Sequence, residues 1–331
     1  MRLLLIYSGM KTLSRLGENV IGAFRRLERS LGNFHIQTYY SKLESREKLF
    51  QRIRFFHPHI ILVFCKEAHA VNSDIRKWAP KVPVGLWVVN DPYHIQDYEW
   101  MVPYYDFMVT QDSGCLPFYR DRRNKPAFHL PLAVNPTHYF PGNVKRDYQS
   151  DVCFVGSAWS DRIRLMDHLI PLLSGKKVII VGEGWEKLKH YSRLKKSMIN
   201  RNIPPSETAR YYNGAKIVLN IHRPLNDINK NPYHLPACTP NNRTFDIAAC
   251  HSFQLVSRRR DLGRLYRLGE EIITYKNLKD LKQKIDYYLI HDKQREEIAG
   301  RAYRRTLRDH TYTVRMRQLI HIMHRFLRSR S

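Results

Sequence analysis

Short uninterrupted apolar runs recur along the chain: Leu3–Tyr7, Ile60–Phe64, Val84–Val89, Phe107–Thr110, Val152–Val155, Val178–Val181, Ile217–Ile221 and Phe253–Val256. Each has the length of a strand. Continuous Val/Ile/Leu runs suit strands covered on both faces, as in parallel sheets. The segments between them are long enough for crossover helices. Gly17–Leu31 places Val20, Ile21, Phe24, Leu27 and Leu31 on one helical face. In TVRMRQLIHIMHRFL, Leu319, Ile322, Met323 and Phe326 recur at helical spacing with Arg and His between them. Packing of that helix against the body is the default reading; a helix for a partner or a membrane surface is the alternative. Strands alternating with helices predict an α/β architecture.

Three prolines, Pro131, Pro136 and Pro141, precede the polar stretch GNVKRDYQSD, after which a new strand begins. The seam is placed there, near residue 148. With 331 residues, the chain has room for two domains. The expected division is 1–147, 148–310, and a basic C-terminal helix, 311–331. The opening MRLLLIYSGMK has only Leu3–Tyr7 as a continuous apolar core, too short for a secretory signal, so it reads as a buried first strand. No run approaches the length of a membrane span, and a cytoplasmic protein is expected. The five cysteines are scattered without a CxxC pair, which predicts reduced, buried thiols and no metal site.

Charge changes the picture most. The 56 Lys and Arg outweigh 30 Asp and Glu, for a net charge of +26. Residues 1–145 hold 20 basic and 12 acidic residues, and residues 146–331 hold 36 and 18. Such an excess points to an anionic partner. No zinc finger, homeodomain or RNP-like motif accompanies it, so nucleic acid rests on charge alone.

Five constellations carry candidate chemistry. In DVCFVGSAWSDR a strand ends in Gly156 and Ser157, and a helix is expected from Ser160 or Asp161. A glycine there lets a ligand approach the backbone, the helix N-terminus offers N–H groups to phosphate, and Arg162 adds a fork of donors; a plain strand-to-helix turn has the same pattern. IIVGEGW repeats the theme at Gly182, where turn geometry alone is the competing explanation. KIVLNIHR runs a strand into Asn220 and His222, at the carboxyl end where open α/β sheets bind ligands, although a lone His is more often structural. TPNNRTFDIAACHSFQLVS sets Asn241, Asn242 and Arg243 before a helix, a pattern suited to phosphate. Asp246, one turn in, is positioned to accept from a ribose diol, with helix capping as the ordinary reading of Asn242 or Thr244. WVVNDPYH brings Asp91 and His94 off a strand, where a carboxylate or imidazole can orient or deprotonate a hydroxyl; Asp-Pro turns without function are common.

The run NRTFDIAACHSFQLVSRRRDLGRLYRLGEEIITYKNLKDLKQKIDYYL, with WVVNDPY, LPLAVNPTHYFP, DVCFVGS, YYNGAKIVLNIHR and RTLRDHTYTVR in order, resembles the CgeB-like spore maturation proteins. These group with the GT-B nucleotide-sugar glycosyltransferases. The resemblance spans roughly residues 60–325. It implies two Rossmann-like domains with parallel sheets facing across a cleft, and a last helix crossing back to the first domain. It also implies a nucleotide-diphosphate sugar, first of all a UDP-sugar, as donor substrate on the second domain, with no metal and no bound cofactor. The acceptor, a glycan or protein of acidic character, would lie on the first domain, with Asp91, His94 and His222 as catalytic groups. Gly156, Ser157, Arg162, Gly182, Asn220, Asn241, Asn242, Arg243 and Asp246 would bind the donor. Work on a spore coat or surface polymer in a spore-former's mother cell is a further implication; the charge that a diphosphate leaves unmatched suggests an acidic acceptor polymer or contact with an anionic surface. Retaining relatives often carry two glutamates with seven residues between them. Here Asp246 stands at the second position and Cys238 lies eight residues before it, so the first acidic role does not transfer. A non-catalytic GT-B-like protein that binds an acidic glycan is the alternative.

Overall fold

The computed structural model describes residues 1–10, 12, 14–189, 191–225 and 230–330, with Arg193 as backbone alone. The described residues form two compact units: 1–132 with 230–239 and 312–330, and 133–225 with 240–311. Each is built on a six-stranded sheet whose neighbouring strands all run parallel.

In the first unit the strands are β1 (Arg2–Tyr7), β2 (His35–Tyr40), β3 (Ile60–Phe64), β4 (Val84–Val88), β5 (Phe107–Thr110) and β6 (Ala127–His129), in the order β2-β1-β3-β4-β5-β6. The interior strands β1, β3, β4 and β5 bury nearly every residue. That is why they read as unbroken apolar runs. Helices α1 (Leu16–Ser30), α2 (Arg46–Phe56), α3 (Asn72–Trp78) and α4 (Ile95–Glu99) complete the first stretch. The expected face of α1 is turned inward: Val20, Ile21, Phe24 and Leu27 are buried, and Phe24 stacks on Phe34 with ring centroids 5.9 Å apart.

In the second unit the chain passes through β7 (Ser150–Val155), α5 (Ser160–Leu169), β8 (Val178–Val181), α6 (Tyr191–Leu194), β9 (Met198–Ile199), α7 (Pro205–Gly214), β10 (Ala215–Asn220), α8 (Arg243–Ala249), β11 (Gln254–Ser257), α9 (Leu262–Leu265), β12 (Ile273–Tyr275), α10 (Leu278–Ile290) and α11 (Asp292–Asp309). The sheet order is β12-β11-β10-β7-β8-β9. The chain builds outward from β7 to β9, then returns to place β10 on the other side of β7. Strand order therefore reverses between β7 and β10, the position at which open α/β sheets form a ligand crevice.

The grouping departs from the expected division in two places. Residues 133–147 lie with the second unit, because Val134 N–H donates to His310 O at 3.0 Å, Tyr139 stacks on Tyr212 and Asn213 Nδ2 donates to Phe140 O at 3.0 Å. The prolines therefore shape an extended segment laid on the second sheet's layer rather than a linker. Residues 230–239 lie with the first unit, where the Asp112 carboxylate accepts from the backbone N–H groups of Cys238 and Thr239. The last helix, α12 (Tyr312–Arg328), also packs there: Arg26 Nε donates to Thr313 Oγ1 at 3.2 Å, and Phe326 meets Phe107 with centroids 4.5 Å apart. Leu319, Met323 and Phe326 are buried, as the helical spacing predicts, and Ile322 is half-buried. Among the described residues no helix is long and apolar enough to cross a membrane.

Candidate anion-binding site

The carboxyl ends of β7 and β10 meet at the strand-order reversal of the second unit. After β7 the chain turns at Gly156 and Ser157 into α5, which begins at Ser160 as the sequence predicts. Two guanidinium groups crowd Gly156. A methyl group at its Cα would lie 3.0 Å from Arg243 Nη1 and 3.3 Å from Arg162 Nη1. Gly182, at the end of β8, is required by the sheet: a Cβ there would sit 2.3 Å from Gly156 O, and its φ of 137° is one L side chains rarely adopt. Trp185 Nε1 donates to the same Gly156 oxygen at 2.9 Å. Gly182 and Trp185 thus fix the loop from behind, and the front stays open to the arginines.

Arg162 is only 2% exposed. Its Nη1 donates to Ser157 O at 3.0 Å and its Nη2 to Ile221 O at 2.8 Å. It therefore ties the loop after β7 to the loop after β10 while holding a positive charge at the centre. Arg243 is half-buried, and its Nη1 is enclosed without a hydrogen-bond partner. His222, two residues beyond β10, is 7% exposed. Ser257 Oγ lies 2.9 Å from its backbone N and 2.8 Å from Nδ1. His222 Nε2 is enclosed and has no partner. Burial, reinforced by the charges of Arg259, Arg243 and Arg162, holds the imidazole well below its usual range, so the ring is neutral at pH 7. A buried polar atom without a partner costs roughly 1–3 kcal/mol. Two such atoms beside converging cations mark a place prepared for an anion.

The other candidates in this unit hold the architecture. Asn220 is fully buried; Nδ2 donates to Thr244 Oγ1 at 2.9 Å and Gln254 Oε1 at 3.1 Å, and Oδ1 accepts from Asn241 Nδ2 at 3.0 Å. Its amide is consumed in stitching β10 to β11 and to the start of α8, which removes it from direct ligand contact. Asn241, rather than Asn242 or Thr244, caps α8, with Oδ1 accepting from Thr244 N–H at 3.2 Å. Asn242 Nδ2 donates to Asp246 at 2.9 Å. Asp246 is 3% exposed, and burial raises its carboxyl well above the usual range against the lowering effects of Arg243 and Asn242. In this conformation it presents no accessible oxygen to a diol.

In the first unit Asp91 is wholly inaccessible. Thr110 Oγ1 donates to it at 2.6 Å and Tyr119 Oη at 3.0 Å. Burial pushes its carboxyl up to about 7, with the hydroxyl hydrogen bonds opposing and the Asp112 charge adding. A carboxyl so enclosed does not reach an acceptor, so the expected catalytic role gives way to a structural one. His94 is different: its side chain is 32% exposed, and Nδ1 lies 3.2 Å from Asp97. Lys66 and Lys230 also bond Asp97, and these hydrogen bonds hold its carboxyl far below the usual range despite partial burial.

Sequence reasoning missed Ser257, Arg259 and Asp97. Ser257 closes β11 and Arg259 follows it, so their places at a parallel strand's carboxyl end were the available signal. For Asp97 the signal was its place three residues after His94; its lysine partners, Lys66 and Lys230, come from distant segments. Among the described residues no three His, Cys, Asp or Glu side chains converge as metal ligands.

Comparisons with known proteins agree with this fold. A glycosyl transferase-like family model matches residues 145–321. Spore protein CgeB of Bacillus subtilis (strain 168) is 28% identical over 294 residues, covering 87% of this chain and 90% of the relative. Among solved structures, Anabaena Alr3699/HepE in complex with UDP and glucose aligns with a TM-score of 0.65 at 11% identity, over 98% of this chain and 99% of that one. Sucrose-phosphate synthase from Thermosynechococcus elongatus aligns at 0.62 and 10% identity, over 99% of both. The paired parallel sheets are those of the GT-B fold.

Proposed function

The chain belongs to the glycosyl transferase-like family, and from that premise we propose that it moves a sugar from a nucleotide-diphosphate donor to a hydroxyl acceptor. The second unit holds the donor and the first holds the acceptor. The observation that carries this reading is the pair of enclosed, unpartnered atoms at the β7/β10 reversal, Arg243 Nη1 beside Gly156 and His222 Nε2 on the segment that leaves β10. The UDP bound by Alr3699/HepE supports UDP as the first nucleotide to test.

In the proposed reaction the bond between the sugar's anomeric carbon and the diphosphate oxygen breaks, and its electron pair leaves with the diphosphate. The acceptor oxygen forms the new bond and loses its proton to the neutral imidazole of His94. Arg243 donates to the leaving diphosphate, Arg162 adds fixed charge from behind, and His222 donates from Nε2 when Ser257 donates to Nδ1. Preorganised donors aimed at developing charge are a main catalytic device. With these groups supplying the positive charge, no metal is required of the proposed reaction. His94, oriented by Asp97, is the proposed partner of the acceptor hydroxyl. Similarity to Spore protein CgeB supports a role in a spore-forming cell, and we propose that the acceptor is a spore-surface polymer. A second reading, a GT-B-like protein that holds a glycan without transfer, is favoured by the inaccessibility of Asp91 and by Cys238.

Isothermal titration with UDP, GDP and their sugars tests the first reading. One of them should bind, and Arg243→Ala should weaken it about 10- to 100-fold, the loss of a charge-assisted hydrogen bond. No binding, or binding indifferent to Arg243→Ala, overturns it. Nucleotide release in the presence of chelator separates transfer from mere holding.

A further inference from the structure

Two helices of the first unit, α1 and α12, pack on each other and leave a basic face outside. On α1 the exposed residues include Arg25, Arg26 and Arg29; on α12 they include Arg317, His321, Arg325 and Arg328. The α12 positions follow one another at steps of four, four and three residues, so they line one side of the helix over about 16 Å. No acidic residue occurs in α12. Among the described residues, Arg25, Arg29, Arg317, Arg325 and Arg328 enter no ion pair. The acidic groups nearest in the unit are engaged elsewhere: Glu18 with Arg15, Glu28 with Ile36 N–H, and Asp106 with Arg76 and Arg330. The contrast with α11 is direct, since there Arg301, Arg305 and Arg308 are each matched by Glu297 or Asp309. The half-buried His324, beneath this face, is held below its usual range first by burial and then by the N-terminal amine, Arg328 and His321.

The chemistry of the face narrows its partner. An interfacial membrane helix needs its apolar side for the lipid, but here Met316, Leu319, Ile320, Met323 and Phe326 are buried. Single-stranded nucleic acid is held largely by stacking on aromatics, and neither helix carries an exposed large hydrophobic residue. What remains is a row of guanidinium forks, suited to bidentate pairing with carboxylates spaced along a chain. We propose that the α1/α12 face is a docking surface for an extended acidic polysaccharide, a polyuronate in its chemistry, gripped through Arg25, Arg29, Arg317, Arg325 and Arg328. This binding is separate from donor recognition in the second unit, so it stands or falls apart from the transfer reaction.

Fluorescence anisotropy with labelled polygalacturonate oligomers tests it on the full chain, with dextran as the neutral control. The expected result is binding to polygalacturonate alone, weakening about tenfold or more as salt rises from about 50 to 200 mM. Arg317→Ser/Arg325→Ser/Arg328→Ser should lose about tenfold or more in affinity, and Arg317→Lys/Arg325→Lys/Arg328→Lys should fall between. Circular dichroism and the thermal midpoint of both variants report that the chain remains folded. No binding of polygalacturonate overturns the proposal, as does equal binding by the serine variant. Tighter binding to phosphatidylglycerol vesicles or to single-stranded DNA than to polygalacturonate overturns it as well.

Discussion

Arg162 and Arg243 bring like charge to the same glycine and use it differently. Arg162 is fully enclosed, and two of its nitrogens are taken by backbone oxygens from segments 59 and 5 residues away. Arg243 keeps an enclosed nitrogen without a partner. The sequence shows both as arginines near strand ends and cannot rank them, because the ranking depends on the carbonyls of Ser157 and Ile221. Asp91 makes the same point more strongly. Its motif reads as a catalytic carboxylate, and only the approach of Thr110 and Tyr119, 19 and 28 residues later, seals it. Its raised carboxyl has a stability consequence. A group whose folded value lies above its unfolded value favours the folded state in its protonated form. That contribution is complete below about pH 4 and is lost as pH rises through about 7. Thermal midpoints measured from pH 5 to pH 8 should therefore fall more steeply for the native chain than for Asp91→Asn; parallel curves would refute the assignment.

At the scale of elements, the strands legible in the sequence and those that were not differ by position in the sheet. All eight apolar runs correspond to strands with a neighbour on both sides, from β1 to β11. The strands not foreseen, β2, β6, β9 and β12, are the four edges. An edge strand is less completely covered, so His35–Thr38 of β2 alternate between exposed and half-buried before Tyr39 is buried, and Met198–Ile199 of β9 is too short to register. The glycine after β8 was legible as a turn, but its reason was not. The oxygen of Gly156 occupies the space a side chain at 182 would need. Gly182→Ala is expected to cost about 2–4 kcal/mol from overpacking and backbone strain, read by chemical denaturation, and to abolish UDP binding. Ordinary stability with full affinity would show that the β7 and β8 ends are not held in contact.

For the whole molecule, the sequence located the two α/β halves and the basic C-terminal helix, but not the way the chain is shared between them. The three-part first unit depends on pairings such as Asp112 with Cys238 and Arg26 with Thr313, which no periodicity announces. The 56 Lys and Arg behind the net charge of +26 have divided into parts: cations paired on α11, a converging group at the β7/β10 reversal, and the unmatched face of α1 and α12. Removing α12 should expose Phe107 and Phe128, which its Phe326 covers. A chain ending at Thr311 is expected to be cut by protease within the first unit while the second, residues 133–225 with 240–311, resists. Equal resistance in both would contradict the packing. The same arrangement sets an order of events on the ribosome. The first sheet is translated early, yet its covering helix follows about 180 residues later, a delay of roughly 10–40 s at elongation rates of about 5–20 residues per second. The second unit, contained between those two moments, can close on its own schedule. The half made first is therefore the half finished last, and it waits with aromatic surface bare during the interval in which a chaperone would find it.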